Sequence, residues 1–109
     1  MTFTVDTEYS HQEDCIFAIG QYQGNGHIAV AIYSLSEGPF ANVTVNLDTT
    51  DNYPENFGYV DTNNFPEAEA IIKNLGIGKK TNIVGRSGFC FYPLYEFDVE
   101  AIKKYMLVN

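Results

Sequence analysis

The chain has little of several features that would assign it to a functional class. Its 109 residues contain two cysteines and no apolar run of the roughly 18 residues that a membrane helix needs, and the first 20 residues lack the basic and apolar regions typical of a signal peptide. Cys15 and Cys90 each lie in an apolar run, which favours buried free thiols over a redox or catalytic role. We therefore expect a cytoplasmic protein, folded as a single domain over residues 1–109, without a membrane segment or cofactor.

Positive charge is missing from most of the chain. No Lys or Arg precedes Lys73, whereas that stretch holds all but three of the 14 acidic residues, and the formal net charge is −8. The six basic residues follow, and one of them is the only arginine, Arg86. This asymmetry predicts repulsion of nucleic acid and attraction to basic protein surfaces. The alternative is that the acidic residues only keep a small protein soluble.

Alternating apolar residues predict three strands joined by short turns. These strands are Asp14–Gln23, His27–Leu35 and Ala41–Asp48, and the Asn-Gly pair within Gly24–Gly26 predicts a tight hairpin turn between the first two. Residues 57–62 are a possible fourth strand. Together these segments predict an antiparallel meander.

Two helices are predicted from capping signals. In residues 63–76, Asn64 is placed to cap the helix, Glu67 stands at capping-box spacing, and Gly76 suits the left-handed position at the end. The inward stripe of this helix comprises Phe65, Ala68, Ile72 and Leu75. Asp98 is placed to cap a second, shorter helix.

Residues 76–88 are predicted to be a flexible basic connector, followed by a strand at Phe89–Phe97. In this strand Phe89, Phe91, Tyr95 and Phe97 share one face, Cys90 is buried, and Pro93 indicates an edge or a bulge. The predicted order is β-β-β-(β)-α-β-α. This order gives an α+β fold with one or two helices packed on one face of the meander.

The motifs that suggest catalysis are incomplete. "GIGKKT" lacks the spacing of a phosphate loop, and "GRSG" lacks the Gly-x-Ser-x-Gly pattern of a nucleophile turn. His11, Cys15, His27 and Cys90 lack the paired spacing of zinc ligands. We therefore predict neither a catalytic nor a metal site, and a small enzyme using Arg86, Ser87 or Cys90 is the least favoured alternative.

Four of the five tyrosines in the acidic part of the chain are plausible stacking residues, but nucleic acid would meet no counter-charge there. Tyrosine in such a setting suits protein binding, because it offers a large contact area at little entropic cost. The alternative is that they are ordinary half-buried side chains. They are Tyr22, Tyr33, Tyr53 and Tyr59.

The segment from about Asn46 to Asp98 resembles a family of domains of unknown function carried by bacterial mobile elements and conjugative plasmids. The resemblance lies in "VDTNN" at residues 60–64, "GRSG" at residues 85–88 and "YPLYEF" at residues 92–97. No catalytic residues transfer from that family. Its setting, beside genes that counteract restriction and CRISPR immunity, implies a small inhibitor.

These observations predict a small acidic, non-catalytic protein that binds and inhibits a bacterial defence nuclease of the anti-CRISPR type, with Cas9 as the first candidate. Cas9-type enzymes hold nucleic acid in basic channels, which carboxylates would complement. We expect a monomer or small homo-oligomer. Arg86 either pairs with a carboxylate such as Asp61 or contacts the partner. The predicted partner-binding residues are Asp48, Asp51, Tyr53, Glu55, Tyr59, Asp61 and Arg86. The alternative is a non-inhibitory adaptor of a mobile element, with the aromatic strand as a docking edge.

Overall fold

The computed structural model describes residues 1–47 and 52–106, which form two four-stranded antiparallel sheets and two short helices. The first sheet has the order β1-β2-β3-β4, and the second has the order β5-β6-β8-β7. The α+β class is therefore correct in outline. The first sheet is an antiparallel meander, as predicted for this part of the chain, but the chain also builds a second sheet that was not predicted. The elements are β1 (Phe3–Asp6), β2 (His11–Gln21), β3 (Ile28–Ser34), β4 (Gly38–Asn42), β5 (Thr44–Val45), β6 (Phe57–Val60), α1 (Ala68–Leu75), β7 (Gly78–Ser87), β8 (Cys90–Phe97) and α2 (Val99–Lys103).

The predicted hairpin between β2 and β3 is confirmed, but its turn is longer than a two-residue turn. Gln21 is the last residue of β2 and pairs with Ile28, so six residues form the loop. The amide of Tyr22 donates to the carbonyl of His27, and the positive φ values fall on Gly24 and Gly26. Glycine therefore provides both left-handed positions, as these conformations require.

The predicted third strand is interrupted at Val43, where the chain passes from the first sheet to the second. The amide of Val43 donates to the carbonyl of Val30 in β3, and its carbonyl accepts from the amide of Asp61 after β6. Val43 and Thr44 are both buried, which breaks the expected alternation. One residue thus hydrogen-bonds to both halves of the fold.

Two strands lie where no strand was predicted. Residues 3–6 form β1, which pairs with the start of β2, and the ten-residue β7 lies entirely within the predicted flexible connector. Register between β7 and β8 shifts between Lys80 and Val84, opposite Pro93. Pro93 indicated an edge strand or a bulge. The irregularity lies in the neighbouring strand β7, and β8 runs inside the sheet between β6 and β7.

Both predicted helices are present, with one correction to the capping of the first. α1 begins at Ala68, and Glu67 precedes it without a side-chain cap. Asn64 does not cap this helix; its amide instead donates to the carboxylate of Asp61 in the preceding turn. Gly76 ends α1 in the left-handed conformation as predicted, and the Asp98 side chain caps α2 by accepting from the amide of Ala101 at 3.1 Å.

The buried side chains form two clusters. The larger joins the inner face of the first sheet to both helices, and it contains the predicted α1 residues Phe65, Ala68 and Ile72. Leu75 packs against it half-buried. The smaller cluster lies in the second sheet and comprises Leu47, Tyr59, Tyr92 and Leu94. Each fully buried side chain of this size contributes about 1.5–3 kcal/mol to folding relative to its exposed state.

Candidate functional site

The predicted partner-binding residues do not form one exposed surface. Asp48 and Asp51 lie outside the described residues. Tyr53 is half-buried, with its ring stacked on Phe57 at 6.0 Å between centroids. Glu55 is exposed. Within the described part of this loop, only Glu55 presents a fully exposed charge.

Tyr59 and Asp61 lie inside the molecule, so their predicted role as surface contacts is corrected. Tyr59 is 1% exposed, and Asp61 is 7% exposed. The two oxygens of the Asp61 carboxylate accept from the backbone amide and the side-chain amide of Asn64, each at 3.2 Å. Asp61 therefore orders the turn that leads into α1, which is a structural task.

Arg86 is exposed on β7, and it does not pair with Asp61. Its Nε donates to the carbonyl of Gly88 at 2.9 Å, and its guanidinium lies over the ring of Phe91, 5.7 Å from the centroid. No carboxylate among the described residues lies within ion-pair distance of it. The guanidinium is thus held in place by a carbonyl and an aromatic ring, and within the described residues its terminal N–H groups have no hydrogen-bond partner.

The end of the β7–β8 hairpin carries an exposed apolar patch that the sequence did not predict. Phe89 is 96% exposed, Phe91 is 62% exposed and Val84 is 56% exposed. Phe89 was predicted to begin the strand, but Gly88 has a φ of 61° and forms the turn together with Phe89, so Phe89 and Phe91 lie at the end of the hairpin. We call Val84, Arg86, Phe89 and Phe91 the hairpin patch.

A second exposed feature is the β1–β2 hairpin, which carries four carboxylates within nine residues. All four are exposed, and among the described residues none of them is paired with a Lys or Arg. We call this feature the acidic hairpin. Its carboxylates belong to Asp6, Glu8, Glu13 and Asp14.

Among the described residues, His11 is the basic side chain that contacts the acidic hairpin. Its Nδ1 contacts Asp6, and its Nε2 lies 3.5 Å from Glu13. The hydrogen bond with Asp6, followed by that with Glu13, raises the pKa of His11 above its usual value of 6.5. Asp6 and Glu13 therefore stabilise the protonated, positively charged form of His11.

Three polar side chains, Glu69 of α1, Lys80 of β7 and Tyr95 of β8, form a bonded group between the helix and the second sheet. The Tyr95 hydroxyl donates to Glu69 at 2.5 Å, and the ammonium of Lys80 lies 2.9 Å from the same carboxylate oxygen. The bond from Tyr95 lowers the pKa of Glu69 despite the opposing effect of burial. Burial and the hydrogen bond to Glu69 raise the pKa of Tyr95. This arrangement fixes the helix against the sheet.

The residues considered for catalysis are distributed over the fold. Ser87 and Cys90 are cross-strand partners beside the hairpin tip, and Cys90 is half-buried rather than buried as predicted. His27 is buried, with its ring 6.5 Å from Tyr53 and 6.2 Å from Tyr59. Within the described residues, neither histidine hydrogen-bonds to Ser87 or Cys90.

Two adjoining grooves of about 560 and 620 Å³ meet at Asn56 and Val99. The larger groove is lined by the end of β2, the start of β3 and Glu55, and both grooves include Val99 at the start of α2. In the parts of the chain that the structure describes, no group of three His, Cys, Asp or Glu residues is arranged to hold a metal ion. No helix in those parts has the length and apolar character needed to span a membrane.

Comparison with known proteins gives one match. The family model described as "Domain of unknown function (DUF4313)" matches residues 16–107. No curated protein and no solved structure matches the chain. The matched region includes the hairpin patch and begins after the last carboxylate of the acidic hairpin.

Proposed function

Because the chain belongs to the DUF4313 family of domains of unknown function, we propose its function from its own geometry: it is a non-catalytic domain that binds a basic protein surface through the acidic hairpin. The basic surface is that of a nuclease of bacterial defence, and Cas9 is the first partner to test. Binding there would occupy a channel that otherwise holds nucleic acid, and would so inhibit the enzyme.

The observation that carries this proposal is the set of four exposed carboxylates with no Lys or Arg partner. Such carboxylates repel one another in the free protein, and a basic partner relieves this repulsion when it binds. Electrostatic complementarity of this kind accelerates encounter and makes the affinity depend on salt. Glu55 adds an exposed carboxylate from the loop predicted to bind the partner.

The test compares two variants that carry the same change in net charge. The first neutralises the acidic hairpin with Asp6→Asn, Glu8→Gln, Glu13→Gln and Asp14→Asn. Asp14 has a φ of 53°, which asparagine tolerates well, so this exchange keeps the backbone. The control neutralises exposed or half-buried carboxylates elsewhere. It carries Glu37→Gln, Glu67→Gln, Glu96→Gln and Glu100→Gln.

Each protein is passed over a gel-filtration column with purified Cas9 ribonucleoprotein at low and high salt, and DNA cleavage is measured alongside. We expect the wild type and the control to co-elute at low salt and to slow cleavage, and the acidic-hairpin variant to do neither. Absence of co-elution of the wild type at low salt contradicts direct binding to Cas9. Equal loss in both variants contradicts the acidic hairpin as the site.

A second candidate function is an adaptor that binds a partner without inhibiting a nuclease. The exposed aromatic side chains of the hairpin patch favour it, since large apolar groups at a hairpin tip are typical of docking surfaces. A plasmid-interference assay with and without the protein separates the two functions. An inhibitor restores plasmid survival, whereas an adaptor leaves nuclease activity unchanged.

A further inference from the structure

The hairpin patch exposes three apolar side chains that do not contribute to the buried core. Phe89 is almost fully exposed at 96%, and Phe91 and Val84 are more than half exposed beside it. Contiguous exposed apolar side chains next to polar ones are typical of interaction sites. Aromatic and arginine side chains also provide much of the affinity at protein interfaces. The patch therefore has the composition of a binding site.

Arg86 gives this patch a specific chemistry. Phe91 and the carbonyl of Gly88 hold its guanidinium, and its Nε is the one N–H that is used. The remaining four N–H groups of a guanidinium can bind a carboxylate in a bidentate manner. Because the side chain is already positioned, less entropy is lost when such a bond forms. The patch thus offers a preformed carboxylate receptor beside apolar contacts.

The backbone of β7 offers a third kind of contact. β7 pairs with β8 on one side and is the last strand of the second sheet, so no described strand covers its other side. An edge strand presents unpaired N–H and C=O groups, to which an extended peptide can add as a further strand. In β7 the regular stretch beside the hairpin patch is Val84–Ser87, because the register with β8 shifts between Lys80 and Val84 and the amide of Ile83 already donates to the Thr81 hydroxyl. β7 contains three basic residues and no carboxylate, although one of them, Lys80, is already paired with Glu69.

We propose that β7 and the hairpin patch bind an extended acidic segment of a partner protein by strand addition. A carboxylate of the segment binds Arg86, and a neighbouring apolar side chain packs against Phe89 and Phe91. Single-stranded nucleic acid is disfavoured as the occupant, because the chain has a net charge of −8 and the patch holds one arginine. This site lies on β7 and β8, apart in sequence from the acidic hairpin.

The proposal is tested with a phage-displayed library of random peptides as long as β7, panned on the folded protein. We expect enrichment of peptides that alternate Asp or Glu with aromatic or β-branched residues. The most enriched peptide is then labelled with fluorescein, and its affinity is measured by fluorescence polarisation. Backbone amide shifts in NMR spectra show whether it contacts residues 78–87. Failure to enrich acidic peptides overturns the proposal, as does a peptide whose shifts lie elsewhere.

Point variants locate the contacts. We expect Phe89→Ala and Arg86→Ala each to lower the affinity for the labelled peptide by about tenfold or more. Arg86→Lys should recover only part of this affinity, because lysine lacks the planar guanidinium that binds a carboxylate through two N–H groups. Tyr9→Ala is the matched control, since Tyr9 is an aromatic side chain 90% exposed in the β1–β2 turn. Equal effects of Phe89→Ala and Tyr9→Ala contradict the proposal.

An oligothymidylate competitor tests the other class of occupant. We expect it not to displace the labelled peptide, and displacement that depends on Arg86 overturns the choice of a peptide. No nuclease is present in these assays. If the protein does not bind Cas9, the peptide assay still tests the site on β7. If no acidic peptide binds, the gel-filtration assay still tests the acidic hairpin.

Discussion

Gly85 of β7 is the position where a single methyl group should do most harm to the second sheet. A Cβ atom on Gly85 would lie 2.5 Å from Cε1 of Tyr59 and 2.6 Å from Cδ1 of Leu47. Both neighbours are buried, at 1% and 3% exposure, so neither side chain can move aside into solvent. The φ of Gly85 is not in the left-handed region, so the expected cost comes from overpacking and not from backbone strain.

Overpacking of a well-filled core costs about 1–3 kcal/mol. Replacement of glycine also restricts the unfolded chain, which returns about 0.4–1 kcal/mol. We therefore expect Gly85→Ala to lower the free energy of unfolding by about 1–2 kcal/mol, and the Tm by about 5–15 °C for a domain of this size. Thermal and urea unfolding followed by circular dichroism measure both quantities.

Gly20→Ala is the matched control for this substitution. Gly20 lies in β2 opposite Ala29, and a Cβ there would have no atom within 4 Å. We expect this variant to be within about 0.5 kcal/mol of the wild type or slightly more stable. If Gly85→Ala unfolds like the wild type, or if Gly20→Ala is destabilised equally, the packing of β7 against Tyr59 and Leu47 is refuted.

Two further predictions concern the capping of α2 and the carboxylate of α1. Asp98→Ala removes the bond to the Ala101 amide and should cost about 1 kcal/mol in urea unfolding, whereas Asp98→Asn should retain most of the stability. The pKa of Glu69 is lowered in the folded protein, so its contribution to stability is present above its usual value of 4.5 and is lost as the pH falls through the folded value. Wild-type stability should therefore decline more steeply on acidification than that of Glu69→Gln, and parallel declines would contradict the bond from Tyr95.

The parts of the fold that the sequence predicts are those with local chemical signals. Gly76 and Asp98 occupy the helix-end positions that their residue types favour, and the alternating apolar residues of β2 and β3 place that hairpin correctly. β1 and β7 were missed because they are edge strands with one exposed polar side, and β7 also contains glycines and lysines that resemble a connector. The passage between the sheets at Val43 depends on contacts with distant strands, which no local pattern reveals.

The candidate site was predicted less well, because residue type alone does not determine exposure. Tyr59 and Asp61 have the polar groups of a binding surface, yet the fold encloses both. Phe89 and Phe91 continue the apolar alternation of the following strand, so the pattern alone does not distinguish them from its buried residues. The turn at Gly88 places them at the exposed end of the hairpin. Their exposure results from the pairing of β7 with β8 in a hairpin, which the residue pattern alone does not predict.

The position of the family match separates the two proposed surfaces. The hairpin patch falls within residues 16–107, whereas the four carboxylates of the acidic hairpin precede this region. Deletion of the N-terminal residues would nevertheless be a poor test of the acidic hairpin. Phe3 and Val5 are buried against Phe17 and its neighbours, so removing β1 would open the larger core cluster. Neutral substitutions keep β1 in place, and the control variant with the same change in net charge shows whether a loss of binding depends on the position of the carboxylates.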